Sequence, residues 1–191
     1  LGGGGLSGGP PVPTPVAVEY SPPSMALDEA VLRGSAWLSL LAWAASEWLK
    51  NSSSAERELR ARVLFGAGAL ALLVHSGLAF ALRYGWSHAL AASDTARETE
   101  ALFGRSTGLE IFANYAFLLA WGAELAWAWG SLPRYLARPR LLRDASRALF
   151  LVMFGSGATV FAEGGWRQLG AAGVLAAVAG WYRGDGTPRH V

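Results

Sequence analysis

The chain contains no cysteine, which excludes disulfides, thiolate metal sites, covalent haem attachment through a CxxCH motif and cysteine lipidation. Charge is scarce: 16% of the 191 residues are Asp, Glu, Lys or Arg, and the net charge is only +2. A nucleic-acid role therefore has no electrostatic support. Lysine is nearly missing, with Lys50 alone against fifteen arginines, and alanine, glycine and tryptophan are heavily used. That composition reads as a GC-rich bacterial gene. Catalytic signatures are missing as well: no Ser-His-Asp order, HExxH, GxSxG, GxGxxG or Walker pattern stands in a credible context, so no enzyme is expected. No basic stretch followed by an apolar one lies near the start, so no ordinary signal peptide is expected.

What the chain does have is long uncharged apolar runs. Residues Val63 to Leu82 (VLFGAGALALLVHSGLAFAL) carry no charge and a single histidine, with Arg60 and Arg62 before them and Arg83, Tyr84 and Trp86 after. At 1.5 Å per helical residue, about twenty residues span the roughly 30 Å hydrocarbon core of a bilayer. Core helices of soluble proteins rarely stay apolar all round for so long. The expected fold is all-α, a polytopic transmembrane bundle of four to five helices over 26–191. Its spans fall near 26–49, 63–84, 109–132 and 142–162, with a short fifth at 169–182. The third is expected to stop at Pro133, which cannot continue a helix. Residues 1–25, with GGGG, PPVP and SPPS, cannot bury a core and are expected to form an extended tail draped over partner subunits.

Arginine counting orients the bundle. The link between spans one and two holds Lys50, Arg57, Arg60 and Arg62, and that between three and four holds Arg134, Arg138, Arg140, Arg143 and Arg147. Both are expected in the cytoplasm. The loop between spans two and three, where Arg83, Arg97 and Arg105 are offset by Asp94, Glu98, Glu100 and Glu110, is expected outside with the N-terminus. In that loop Thr95-x-x-Glu98 reads as a capping box and Gly104 as a stop, predicting a helix of two to three turns on the membrane face.

Few residues invite chemistry. His75 sits mid-span above a stripe of Ala67, Ala71 and Ala79 with Gly68 close by. These small residues let a neighbouring helix pack closely on Gly68 and Ala71, or a flat ring approach with His75 as axial ligand to a haem or chlorophyll-type macrocycle. A bis-histidine haem would need a second intramembrane histidine, and His88 and His190 lie at or beyond the interfaces. The plainer reading is a neutral histidine bonded to Asn114 or to a backbone carbonyl. In the third span Glu110, Asn114, Phe117, Trp121, Glu124 and Ala128 alternate by four and three, which predicts one packing seam with Asn114 and Glu124 turned toward other helices. Glu124 also suggests a proton path, though no acidic ladder continues it. Gly155, Ser156, Gly157 and Thr159 form a small-residue surface for close helix contact. His88, Asp94 and Glu98 match no metal signature. The expected function is a non-catalytic accessory subunit of a larger bacterial inner-membrane complex, respiratory or photosynthetic among the candidates, with other membrane subunits and the lipid bilayer as partners. The alternatives are a tetrapyrrole-binding subunit using His75 and a small transporter using Glu124.

Overall fold

A computed structural model describes residues 23–50, 54–159 and 164–185, and within them the chain is all-α with no strand. The helices are α1 (Pro23–Leu49), α2 (Ala55–Leu82), α3 (His88–Phe103), α4 (Glu110–Gly130), α5 (Leu132–Leu136), α6 (Arg140–Thr159) and α7 (Gly165–Asp185). Five of them close a ring: α1 packs on α2, α2 on α4, α4 on α6, α6 on α7, and α7 back on α1. Each sends an aromatic side chain into the centre. Trp43, Phe65, Phe117, Trp121, Phe150, Phe154 and Trp181 make one buried cluster. Trp43 lies 4.9 Å from Phe154, 5.5 Å from Phe150 and 6.1 Å from Trp181, ring centre to ring centre. These separations suit offset-stacked and edge-to-face pairs.

Two helices, α2 and α4, are long and apolar enough to cross a membrane. Only 17% and 22% of their most apolar windows are buried, whereas the core helix of a soluble protein would be mostly covered. Leu70, Leu73, Val74 and Leu119 point outward from them.

Several boundaries move. α1 begins at Pro23, inside the stretch read as tail, because proline lacks only an N–H that the first helical turn leaves unbonded anyway. Residues 1–22 of that tail lie outside the described residues. α2 begins at Ala55, so Arg57, Arg60 and Arg62 stand on its first turns rather than in a loop. Glu56 and Glu58 in that first turn complement the positive helix end. α4 ends at Gly130 because Ser131 is extended, and Pro133 lies in the first turn of α5 rather than terminating α4. The last apolar piece grows to the full 21 residues of α7.

α3 has 16 residues, longer than the two to three turns expected. Its N-cap is Ser87, whose hydroxyl accepts from the Leu90 N–H, while Thr95 sits mid-helix and donates to the Ala91 carbonyl. The capping-box reading fails because Ser87 offers an earlier cap and nothing between it and Thr95 breaks the helix. Gly104 does end α3, left-handed at φ 71° with its N–H on Glu100.

Of the small residues expected to let helices touch, Gly68 and Ala71 on α2 are buried. A Cβ at Gly155 would meet nothing within 4 Å, and the Thr159 side chain lies outside the described residues. α7 supplies a further close approach. A Cβ on Gly180 would sit 3.0 Å from the Glu47 backbone carbonyl, whereas one on Gly173 would meet Leu40 at an ordinary 3.5 Å. Gly180→Leu should therefore push α7 off α1 and cost about 1–3 kcal/mol, with Gly173→Ala near neutral, read from thermal melts in mild detergent. Equal melting of the two variants would contradict this packing.

Candidate functional site

Two polar groupings interrupt the apolar bundle, one at each end. At the end where α1 starts and α2 finishes, His75 leans on α1: its Nδ1 is 3.0 Å from the Leu32 carbonyl oxygen and 3.2 Å from the Ser35 hydroxyl. The Ser35 hydroxyl itself donates to Leu32 O at 2.9 Å. A carbonyl oxygen can only accept, so Nδ1 carries a proton and the ring presents Nε2 as its remaining nitrogen. Gly68 and Ala71 on the same helix are buried. A Cβ on Gly68 would reach Trp121 at 3.0 Å, and its carbonyl accepts from Ser39 at 2.9 Å, which locks α1 against α2.

Asn114 does not join His75. It is exposed on α4, because the face it shares with Trp121 is uncovered at that height. Of the predicted seam, Phe117, Trp121 and Ala128 are buried as expected, and only Glu124 carries the polar contact between elements.

Beyond the C-terminal end of α2 the chain turns through Gly85 and Trp86, both at positive φ. Tyr84 donates to Asp94 at 3.0 Å, and Arg97 pairs with the same carboxylate. Burial, and then the Asp94 hydrogen bond, push the Tyr84 hydroxyl up to about 12. Burial and the Asp94 charge raise the Glu98 carboxyl. His88 packs its ring on Phe112 and Tyr115 instead of approaching these acids. Among the described residues no three histidine or acidic side chains gather as a metal site would need.

The opposite end of the ring holds the richer grouping. Glu47 is buried and accepts from Trp181 Nε1 at 2.7 Å with one oxygen and from Lys50 at 2.5 Å with the other. The Lys50 ammonium also lies 4.0 Å over the Phe65 ring. Glu124 takes the Tyr135 hydroxyl and stands 3.7 Å from the Arg138 guanidinium, which itself covers the Tyr135 ring at 3.8 Å. Burial and the Glu124 charge raise the Tyr135 hydroxyl well above its ordinary range. Between these two pairs opens a cavity of about 50 Å³, further lined by Glu58, Arg143, Ser146 and Arg147.

Local patterns missed this cleft. Glu47 and Trp181 are 134 positions apart and belong to different helices, so no short spacing links them. The one available signal was the heptad-like run of Gly173, Ala177 and Gly180 on α7, which marks a helix that packs rather than lies on a surface. No family model, curated protein or solved structure matches this chain.

Proposed function

We propose that the chain is a non-catalytic accessory subunit of a larger bacterial inner-membrane complex, crossing the bilayer with α1, α2, α4, α6 and α7. The observation that carries this reading is the inside-out distribution of apolar surface. The two most apolar helices bury about a fifth of their windows, so most of their leucine-rich surface is left for lipid or for other subunits. α7, at 21 residues, measures about 31 Å and is long enough to make the fifth crossing. Charge supports the orientation. Lys50, Arg138, Arg143 and Arg147 share one end of the ring, while Glu29 and Arg83 meet at the other, so the first end faces the cytoplasm and α3 lies outside.

Interface bracing suits what the polar groups do. Glu124 is engaged by Arg138 and Tyr135, which favours a structural role over a proton path. Extraction in mild detergent should recover the chain with the membrane fraction and in stoichiometric company. Migration alone, or release into buffer without detergent, would end the reading.

His75 favours a second reading, a tetrapyrrole-binding subunit. An imidazole whose Nδ1–H is held by a carbonyl is oriented as metal-ligating histidines usually are. In the same preparation this reading expects a Soret or Qy absorption band that disappears in His75→Ala. A colourless wild-type complex removes it.

A further inference from the structure

We infer that the cleft at the cytoplasmic end of the ring binds a phosphate group, held chiefly by Arg143, Ser146 and Arg147. These three line the cavity from one face of α6, at spacings of three and four that stack side chains on a helix. The carboxylates near them are unevenly shared. Glu47 and Glu124 are already taken by Lys50 with Trp181 and by Arg138 with Tyr135. Arg140, Arg143 and Arg147 all lean on the single Asp144, at 3.6, 3.7 and 3.9 Å, and Asp144 is half exposed. Asp144 is thus shared by three guanidiniums at ion-pair rather than hydrogen-bond distance, and the Arg147 guanidinium also lies 5.2 Å from the Trp181 ring. Glu58 is the one further acid on the cavity wall, so its basic side chains outnumber its acidic ones by four to three.

Two cavity-lining guanidiniums also have unmet donors. Nε of Arg138 and Nε of Arg143 are buried without a hydrogen-bond partner among the described residues, and buried N–H groups of a cation normally find an acceptor. The cavity, about 50 Å³, has room for roughly three to five water-sized groups at ~10–15 Å³ each, the scale of one tetrahedral oxyanion. Guanidinium forks match phosphate oxygens bidentately, and the Ser146 hydroxyl adds a neutral donor. A phosphate there comes from either of two sources, the headgroup of an anionic phospholipid in the cytoplasmic leaflet or a soluble phosphate. The lipid source rests on the membrane reading above, and basic pockets between spans on that side are where such headgroups dock. The soluble source does not need it.

The test uses the full chain, freed of phosphate and bound lipid. One arm titrates inorganic phosphate and follows the melting temperature. The other incorporates the chain into phosphatidylcholine nanodiscs with and without phosphatidylglycerol and counts retained lipid by native mass spectrometry. Binding in the first arm alone assigns a soluble phosphate, and binding in the second assigns a headgroup; either supports the site. Arg143→Gln/Arg147→Gln should lose roughly tenfold in affinity or more, the scale of charge-assisted bonds, while Arg140→Gln, exposed and off the cavity wall, stays near wild type. The conservative double Arg143→Lys/Arg147→Lys keeps charge and fold but lacks the forks, and should fall between. No binding in either arm overturns the proposal. So does an equal loss in Arg140→Gln, which would mean diffuse electrostatics. Because the phosphate arm runs equally well without detergent, a soluble chain would defeat the membrane reading and leave this result standing.

Discussion

Replacing Trp43 with alanine is expected to cost about 3–5 kcal/mol of stability, the range for a large aromatic removed from a packed core. Trp43 is 1% exposed and faces Phe150, Phe154 and Trp181, so three of the five ring helices meet on its indole. In lipid there is no hydrophobic drive between helices, since acyl chains are as apolar as leucine, and shape-matched dispersion contacts carry the association. Each aromatic pair adds about 0.5–1.5 kcal/mol beyond its area, and the cavity left by alanine forfeits all three. Leu38 is the control: it lies on the same helix but faces outward, and Leu38→Ala should stay within about 0.5 kcal/mol. Circular-dichroism melts in one detergent compare the two. Indistinguishable melts would mean that the ring does not close on Trp43.

Glu47→Ala has the next largest expected effect, about 3 kcal/mol, the lower end of the range for breaking a buried pair by removing one partner. The alanine leaves the Lys50 ammonium and the Trp181 indole N–H without their acceptor. The lower end applies because the Lys50 side chain keeps 18% exposure and a cation–π contact with Phe65, both of which soften the loss. Glu47→Gln should cost less, since an amide oxygen still accepts from Trp181. Removing both charges with Glu47→Ala/Lys50→Met should recover much of the loss, because the penalty lies in the stranded charge rather than in the missing attraction. A double-mutant cycle reads this directly, and strict additivity of the two single substitutions would refute the pairing.

How much of this was legible in the sequence differs by element. α2 announced itself through twenty uncharged residues, and Gly104 through its need for a left-handed conformation, because both signals are local. Even there the start of α2 was read eight residues late, since charged residues in the first turns of a long helix look like a loop. His75 was singled out, and its carbonyl partner was among the readings, but that the carbonyl belongs to Leu32 on α1 depends on which helices pair. Asn114 went wrong for the same reason: its face was right, and no neighbour covers it at that height. The small residues of α6 and α7 look equally suited to contact in sequence, yet Gly173, Ala177 and Gly180 on α7 lie against other helices, whereas a Cβ on Gly155 or Gly157 of α6 would meet nothing within 4 Å.

The sequence by itself determined the class of the chain: all-helical, with apolar runs long enough to cross a membrane and no cysteine for thiol chemistry. Helix formation and hydropathy depend on neighbours within a few turns, so composition and spacing suffice for both. Only the tertiary structure decided that five helices close into a ring and that Glu47 meets Trp181. It also decided that Lys50, Arg138, Arg143 and Arg147 surround one cleft. Those contacts join residues far apart in the chain, and their partners follow from the order in which the helices pack, which no local pattern encodes.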